Sequence, residues 1–274
     1  MTTDNRDENL IGNYEISEGK LTTRREVLLM GALAAGTLVG AAANAASDPK
    51  ADAKTAAPLV SGGLVEIKEK DFSGLLSKKM DGLSPNQIEQ HLKLYKGYVA
   101  KTKEINTFLD APDLLAQPPA PNATYSPLRE LLMEQSFALN GVIYHELYFG
   151  NLGGAGGDPT GDLTSAVEAR WGSTAKFMDY MKAAGKCMRG WVIIGWNQRD
   201  AALHAYGLDM HNMWSPAGVI PIVVLDVYEH AYMIDYGINR AAYLDAFVKN
   251  IDWDVCNKRF ATARRHPAGA ESTL

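Results

Sequence analysis

Apolar positions in this chain follow a helical period first and a mixture of shorter patterns later. From residue 88 they recur as Ile88, His91/Leu92, Tyr95 and Tyr98/Val99, close to the 3.6-residue repeat of a helix with one buried face. Ser84-Pro85-Asn86-Gln87 opens that helix, with Ser as N-cap, Pro at the first helical position and Gln at the third. The proline-rich stretch from Asp110 to Tyr125 breaks helix and predicts a connecting loop. Ser126-Pro127 repeats the start signal, and Leu131, Ala138, Val142, His145 and Phe149 form the apolar face of a second helix. The run Asn151-Leu152-Gly153-Gly154-Ala155-Gly156-Gly157 ends it. Shorter elements follow: helices over 162–171 and 173–184, strands over 191–196, 201–208 and 221–228, and closing helices over 240–249 and 252–260. A turn over 197–200 joins the first two strands. The fold class predicted is α+β, an N-terminal helical hairpin followed by an α/β unit with a three-stranded antiparallel sheet and flanking helices.

The expected division is 1–45 as an export signal, 46–82 as a linker and irregular N-terminal arm, 83–157 as the hairpin, 158–262 as the α/β unit and 263–274 as a tail. The signal is read from Arg24-Arg25 ahead of the weakly apolar run Val27–Ala43, which holds six alanines and three glycines, and from Ala43-Asn44-Ala45 as a cleavage site. That pattern predicts passage through the twin-arginine export machinery to the periplasm. The alternative is an uncleaved anchor, for which the 17-residue run is at the short limit of a span. The twin-arginine route carries proteins already folded in the cytoplasm.

A net charge of −5 without a basic run argues against a nucleic-acid partner. Cys187 and Cys256 lie in no Cys-x-x-Cys pair and are expected as free, partly buried thiols.

The densest chemistry lies in Leu225-Asp226-Val227-Tyr228-Glu229-His230-Ala231-Tyr232, after the apolar run Val219–Val224. A carboxylate and an imidazole at the end of a buried strand are costly to bury without a partner, and a transition metal would justify both. The segment resembles the Asp-x-Trp-Glu-His-Ala-Tyr signature of the iron/manganese superoxide dismutases, and the resemblance extends from about Leu83 to Phe260. It implies one iron or manganese ion per subunit. His145, in Tyr144-His145-Glu146-Leu147-Tyr148-Phe149, is similar to the family's second-helix ligand, and Asp226 and His230 match the two ligands of the signature. His91 resembles the first-helix ligand, although its spacing to Val99 is one residue shorter than the family's. A gapless register would put Gln90 there instead. A one-residue deletion between Tyr95 and Tyr98 puts His91 there, and imidazole is the better ligand. Three imidazoles, one carboxylate and a solvent molecule suit iron or manganese better than zinc.

The same resemblance makes Tyr98 the tyrosine at the substrate entrance and Trp191 a wall of the pocket. It places His211 where a hydrogen bond to metal-bound solvent tunes the potential, while Gly141 occupies the helix position that offers the alternative donor. Glu229 and Tyr232 fall where the family reaches across a homodimer interface. Tyr228, Phe149, Met233 and Tyr95 depart from the usual residues; at Tyr95 a histidine of the interface network is replaced. The activity implied is disproportionation of superoxide, and the alternative is a metal-binding relative with weak or no dismutase activity.

Overall fold

The computed structural model describes residues 66–265. The export signal, most of the linker, His266 and most of the tail lie outside them.

Helix α1 (Pro85–Leu109) starts where the Ser84 hydroxyl accepts the Gln87 amide, and α2 (Pro127–Gly150) where the Ser126 hydroxyl accepts the Arg129 amide. Each has proline in its first turn, where the missing N–H costs nothing. Asn106–Gln135 and Tyr98–His145 pair across the two, so they run antiparallel. Gly141 permits the approach: a Cβ there would sit 2.8 Å from the Tyr98 ring. The loop between them carries one 3-10 turn, Leu114–Ala116.

Helices α3 (Gly161–Trp171) and α4 (Thr174–Cys187) follow, then strands β1 (Trp191–Asn197), β2 (Ala202–Leu208) and β3 (Val219–Asp226), and finally α5 (Arg240–Lys249) and α6 (Trp253–Ala263). The sheet is antiparallel in the order β2-β1-β3, with a register irregularity at Ile194/Gly195. The α+β architecture expected from the pattern is therefore present. β3 and α2 share one core, in which Tyr148, Phe149, Val224 and Phe247 are buried.

One local expectation is corrected. The third strand ends at Asp226 rather than at Tyr228, because the Val227 amide turns to Gly190 O and the Tyr228 amide to Asp226 Oδ1. The described part of the arm, from residue 66, is irregular and docked on the helices. It forms a 3-10 turn at Ser73–Ser77, buries Leu75 and Met80, and joins α1 where the Lys70 amide donates to Tyr95 Oη. The Ser84 amide donates to Asp235 Oδ2. Of the cysteines, Cys256 is buried and Cys187 exposed, both free. No helix among the described residues is long and apolar enough to cross a membrane.

Candidate metal centre

His91 comes from the first half of α1, His145 from the last turns of α2, Asp226 from the end of β3 and His230 from the turn Glu229–Ala231 just beyond. One donor atom from each lies within 4.8 Å of the other three. Asp226 Oδ2 is 3.2 Å from His91 Nε2, 3.2 Å from His230 Nε2 and 3.7 Å from His145 Nε2. His91, His145 and Asp226 are buried, while the His230 side chain keeps 27% of its exposure.

Buried polar atoms ordinarily have partners. Here His91 Nδ1, His91 Nε2 and His145 Nε2 have none. His145 Nδ1 lies 2.5 Å from Gly141 O, and a carbonyl can only accept, so the proton is on Nδ1. The Nε2 lone pair then faces the cluster, the arrangement in which an outer hydrogen bond orients a metal-binding imidazole. Burial pushes the His91 and His145 imidazoles below their ordinary range, which keeps them neutral and able to donate a lone pair. Burial alone would raise Asp226, but the neighbouring His230, whose Nε2 meets the carboxylate at 3.2 Å, outweighs it and holds the carboxyl well below the usual range. A buried carboxylate among orphaned imidazole nitrogens fits a cation of the iron or manganese type.

The sequence left Gln90 and His91 as rivals. The structure places Gln90 on the exposed side of α1 and His91 inside the cluster. Helix α1 is regular through Tyr95–Tyr98. Tyr95 is buried, but its hydroxyl points away from the cluster. It donates to Glu146 Oε1 at 3.0 Å, accepts the Lys70 amide at 2.9 Å, and is pushed up to about 12, chiefly by burial.

Tyr98, His211 and Trp191 make a directed chain. Trp191 Nε1–H can only donate, and it meets His211 Nδ1 at 2.9 Å. His211 therefore carries its proton on Nε2 and donates to Tyr98 Oη at 2.8 Å. Burial lowers His211 to about 4, so it is neutral under ordinary conditions. Burial, then the Asp226 charge, raises Tyr98 to about 12, so its hydroxyl stays protonated. Having accepted from His211, it keeps its own proton free for another acceptor. His211 is fully buried, and Asn140 Nδ2 holds its carbonyl at 2.9 Å.

Several supports escaped the sequence. Gln87 is buried and clamps the His230 turn to α1, its Nε2 donating to His230 O at 2.7 Å and its Oε1 accepting the Ile234 amide at 3.1 Å. The Tyr243 hydroxyl donates to Asp226 O at 2.7 Å. Asn151 Oδ1 accepts the Val224 amide, and Arg259 donates to Ile222 O, Leu147 O and Asn151 Oδ1. The only hint in the sequence was a polar Gln87 on an apolar helix face. Glu229 is exposed and Tyr232 is buried, its hydroxyl accepting Arg240 Nε at 3.1 Å. Both line a hollow shared with Lys186, Met233 and Ile238.

Comparison with known proteins agrees with this geometry. Residues 159–259 match the family described as iron/manganese superoxide dismutases, C-terminal domain. The chain is 42% identical over 205 residues to a protein of Aquifex aeolicus named superoxide dismutase [Fe], covering 74% of this chain and 95% of that one. It is 36% identical to a protein of the same name from Cupriavidus metallidurans, covering 68% and 93% of the two chains. It is 31% identical to superoxide dismutase [Mn] 1 of Halobacterium salinarum, covering 67% and 91%. With relatives matched over nearly their whole length and a buried His-His-Asp-His cluster at the signature positions, the chain belongs to the iron/manganese superoxide dismutase family.

Proposed function

We propose that this protein is a superoxide dismutase, converting two superoxide ions and two protons to dioxygen and hydrogen peroxide. The observation that carries the reading is the convergence of His91, His145, Asp226 and His230, in which His91 Nε2 and His145 Nε2 have no hydrogen-bond partner. An iron or manganese ion held by these four side chains would supply the one-electron couple, alternating between +2 and +3. The rest is done by the chain's own groups. Trp191 fixes the His211 tautomer, His211 fixes the Tyr98 hydroxyl, and Tyr98 keeps a proton available for transfer. The buried aromatic rings of Tyr148, Phe149 and Trp191 restrict water around the cluster.

Metal analysis of the purified protein, with dismutation assayed for each reconstituted metal, tests the reading. Stoichiometric iron or manganese with activity is expected. Bound metal without activity would favour the metal-binding relative instead. Absence of metal uptake would refute both.

A homodimer is the assembly this reading implies. The exposed apolar residues Met233, Ile234 and Ile238 beside Glu229 support a contact there, and sedimentation of Ile238→Lys against the parent chain would test it. Export by the twin-arginine route to the periplasm rests on Arg24, Arg25 and Ala43-Asn44-Ala45. Replacing both arginines with lysine keeps the charge and removes the paired guanidinium groups. It should retain a full-length precursor in the cytoplasm, and unchanged periplasmic accumulation would refute the route.

A further inference from the structure

Among the described residues, five buried side-chain polar atoms lack a hydrogen-bond partner. Two, His91 Nε2 and His145 Nε2, are accounted for by a metal, and His91 Nδ1 lies on the far side of its ring. Trp196 Nε1 lies elsewhere, beside Phe260. The fifth is Tyr228 Oη, and it is in the site. The Tyr228 ring stacks on His230 with centroids 5.0 Å apart and an interplanar angle of 16°. It lies 5.0 Å from the His211 ring and 6.1 Å from Trp191. The phenol therefore sits between a cluster imidazole and the chain that ends on Tyr98.

Packing accounts for the ring but not for the hydroxyl. A phenylalanine would make the same stack, and a buried hydroxyl with no partner costs stability. The His211 amide approaches the phenol oxygen without an aligned hydrogen bond, so the hydroxyl proton is the uncommitted group. The Tyr98 hydroxyl, on the other side of His211, is already oriented by it. Tyr228 supplies a second phenolic donor from a different element, the turn after β3.

Resting on the dismutase reading above, we propose that the Tyr228 hydroxyl is an anion-binding donor of the site, holding a small anion at the metal centre together with Tyr98. Superoxide is such an anion. Fluoride and azide are probes of the same charge that bind without turnover. Hydrogen bonds to charged acceptors are about twice as strong as neutral ones, so loss of this donor has a readable effect on affinity.

The test uses the full chain loaded with iron or manganese, in the parent form and as Tyr228→Phe, Tyr228→Met and Tyr206→Phe. Tyr206, whose hydroxyl meets Asn197 Nδ2 on the sheet, is the control. Metal content is measured first. Fluoride and azide are then titrated while the absorption spectrum of the centre is followed. With metal content unchanged, Tyr228→Phe should bind fluoride roughly tenfold or more weakly. Azide, a poorer hydrogen-bond acceptor, should lose less, and Tyr206→Phe should match the parent. Tyr228→Met lacks any donor and serves if the phenylalanine variant loads metal poorly; the same loss is expected. Parent-like affinity for both anions at full metal content would overturn the assignment of Tyr228 alone. A parent protein that takes up neither metal would overturn the dismutase reading and this assignment with it.

Discussion

Arg259 offers the most demanding test of how this fold holds its metal ligands apart at the right distance. β3 is an outer strand of the sheet, so one of its edges has no strand beside it. Unpaired edge groups need other partners. The Val224 amide and the Ile222 carbonyl on that edge are taken by Asn151 and by Arg259. Arg259 also binds Leu147 O near the end of α2, so one guanidinium ties β3, which carries Asp226, to the helix that carries His145. It forms no salt bridge among the described residues. Burial lowers it from its ordinary range, and its acceptors are carbonyl oxygens alone. Arg259→Met keeps the side-chain volume near constant and removes three hydrogen bonds from a charged donor. Bonds of that kind contribute about 1.5–3 kcal/mol each, but Arg259 is only partly buried and water can reach some of the freed acceptors. A net loss of about 3 kcal/mol is expected, read as a lower urea midpoint at unchanged slope. Metal uptake should weaken with it, because α2 and β3 lose a shared anchor. Lys258→Met, an exposed neighbour, should stay within about 0.5 kcal/mol. A double-mutant cycle with Asn151→Ala should show non-additivity, since the two side chains touch. A loss below about 1 kcal/mol with normal metal uptake would refute the claim that this clamp sets the helix-to-strand spacing.

His91→Ala should abolish tight metal binding while Gln90→Ala leaves metal content near normal, checked by elemental analysis of the purified variants; the reverse pattern would show that Gln90 is the ligand. His211→Ala should retain metal but lower dismutation per bound metal roughly 10–100-fold, as outer-shell changes do; parent activity per metal would remove His211 from the mechanism. His211 also predicts a pH dependence, because its ordinary value of 6.5 falls to about 4 in the fold. The unfolded chain then binds the extra proton between those values, so stability contributed above pH 6.5 is lost as pH falls toward 4, amounting to about 3 kcal/mol. The parent minus His211→Gln difference in denaturation free energy should shrink over that window, and a constant difference would refute the burial argument. Tyr95→Phe removes the hydroxyl shared by the Lys70 amide and Glu146, so amide exchange over residues 68–77 should quicken while metal content holds; unchanged exchange would mean the arm is held by Leu75 and Met80 alone.

Much of the architecture was legible because its signals are local. Ser84-Pro85 and Ser126-Pro127 satisfy the first helical amides from neighbouring residues, and the hydroxyl bonds to Gln87 and Arg129 are the ones such a motif predicts. The helical period placed Ile88, His91, Tyr95 and Val99 on one buried face, where the structure has them. The arm over 66–82 was less legible, because composition rich in lysine and aspartate hides the few residues, Leu75 and Met80, that anchor it. Strand β3 was read two residues too far because apolar character continues through Val227, whereas the chain is turned by the Asp226 side chain and Gly190.

By itself, then, the sequence determined the α+β order of elements, since capping and period act over a few residues, and its resemblance to the family marked His145, Asp226 and His230 while leaving Gln90 and His91 as rivals for the fourth position. Tertiary structure alone puts His91 rather than Gln90 inside the cluster, because neighbours on a helix point about 100° apart and only the packing of α1 against α2 turns one of them inward. It alone turned Gln87 from a cap residue into a clamp, gave Arg259 to the edge of β3, and left the Tyr228 hydroxyl without a partner beside the cluster. Each of these depends on groups brought together from distant parts of the chain. A donor's partner at such separation is set by how helices and strands pack, which no local pattern encodes.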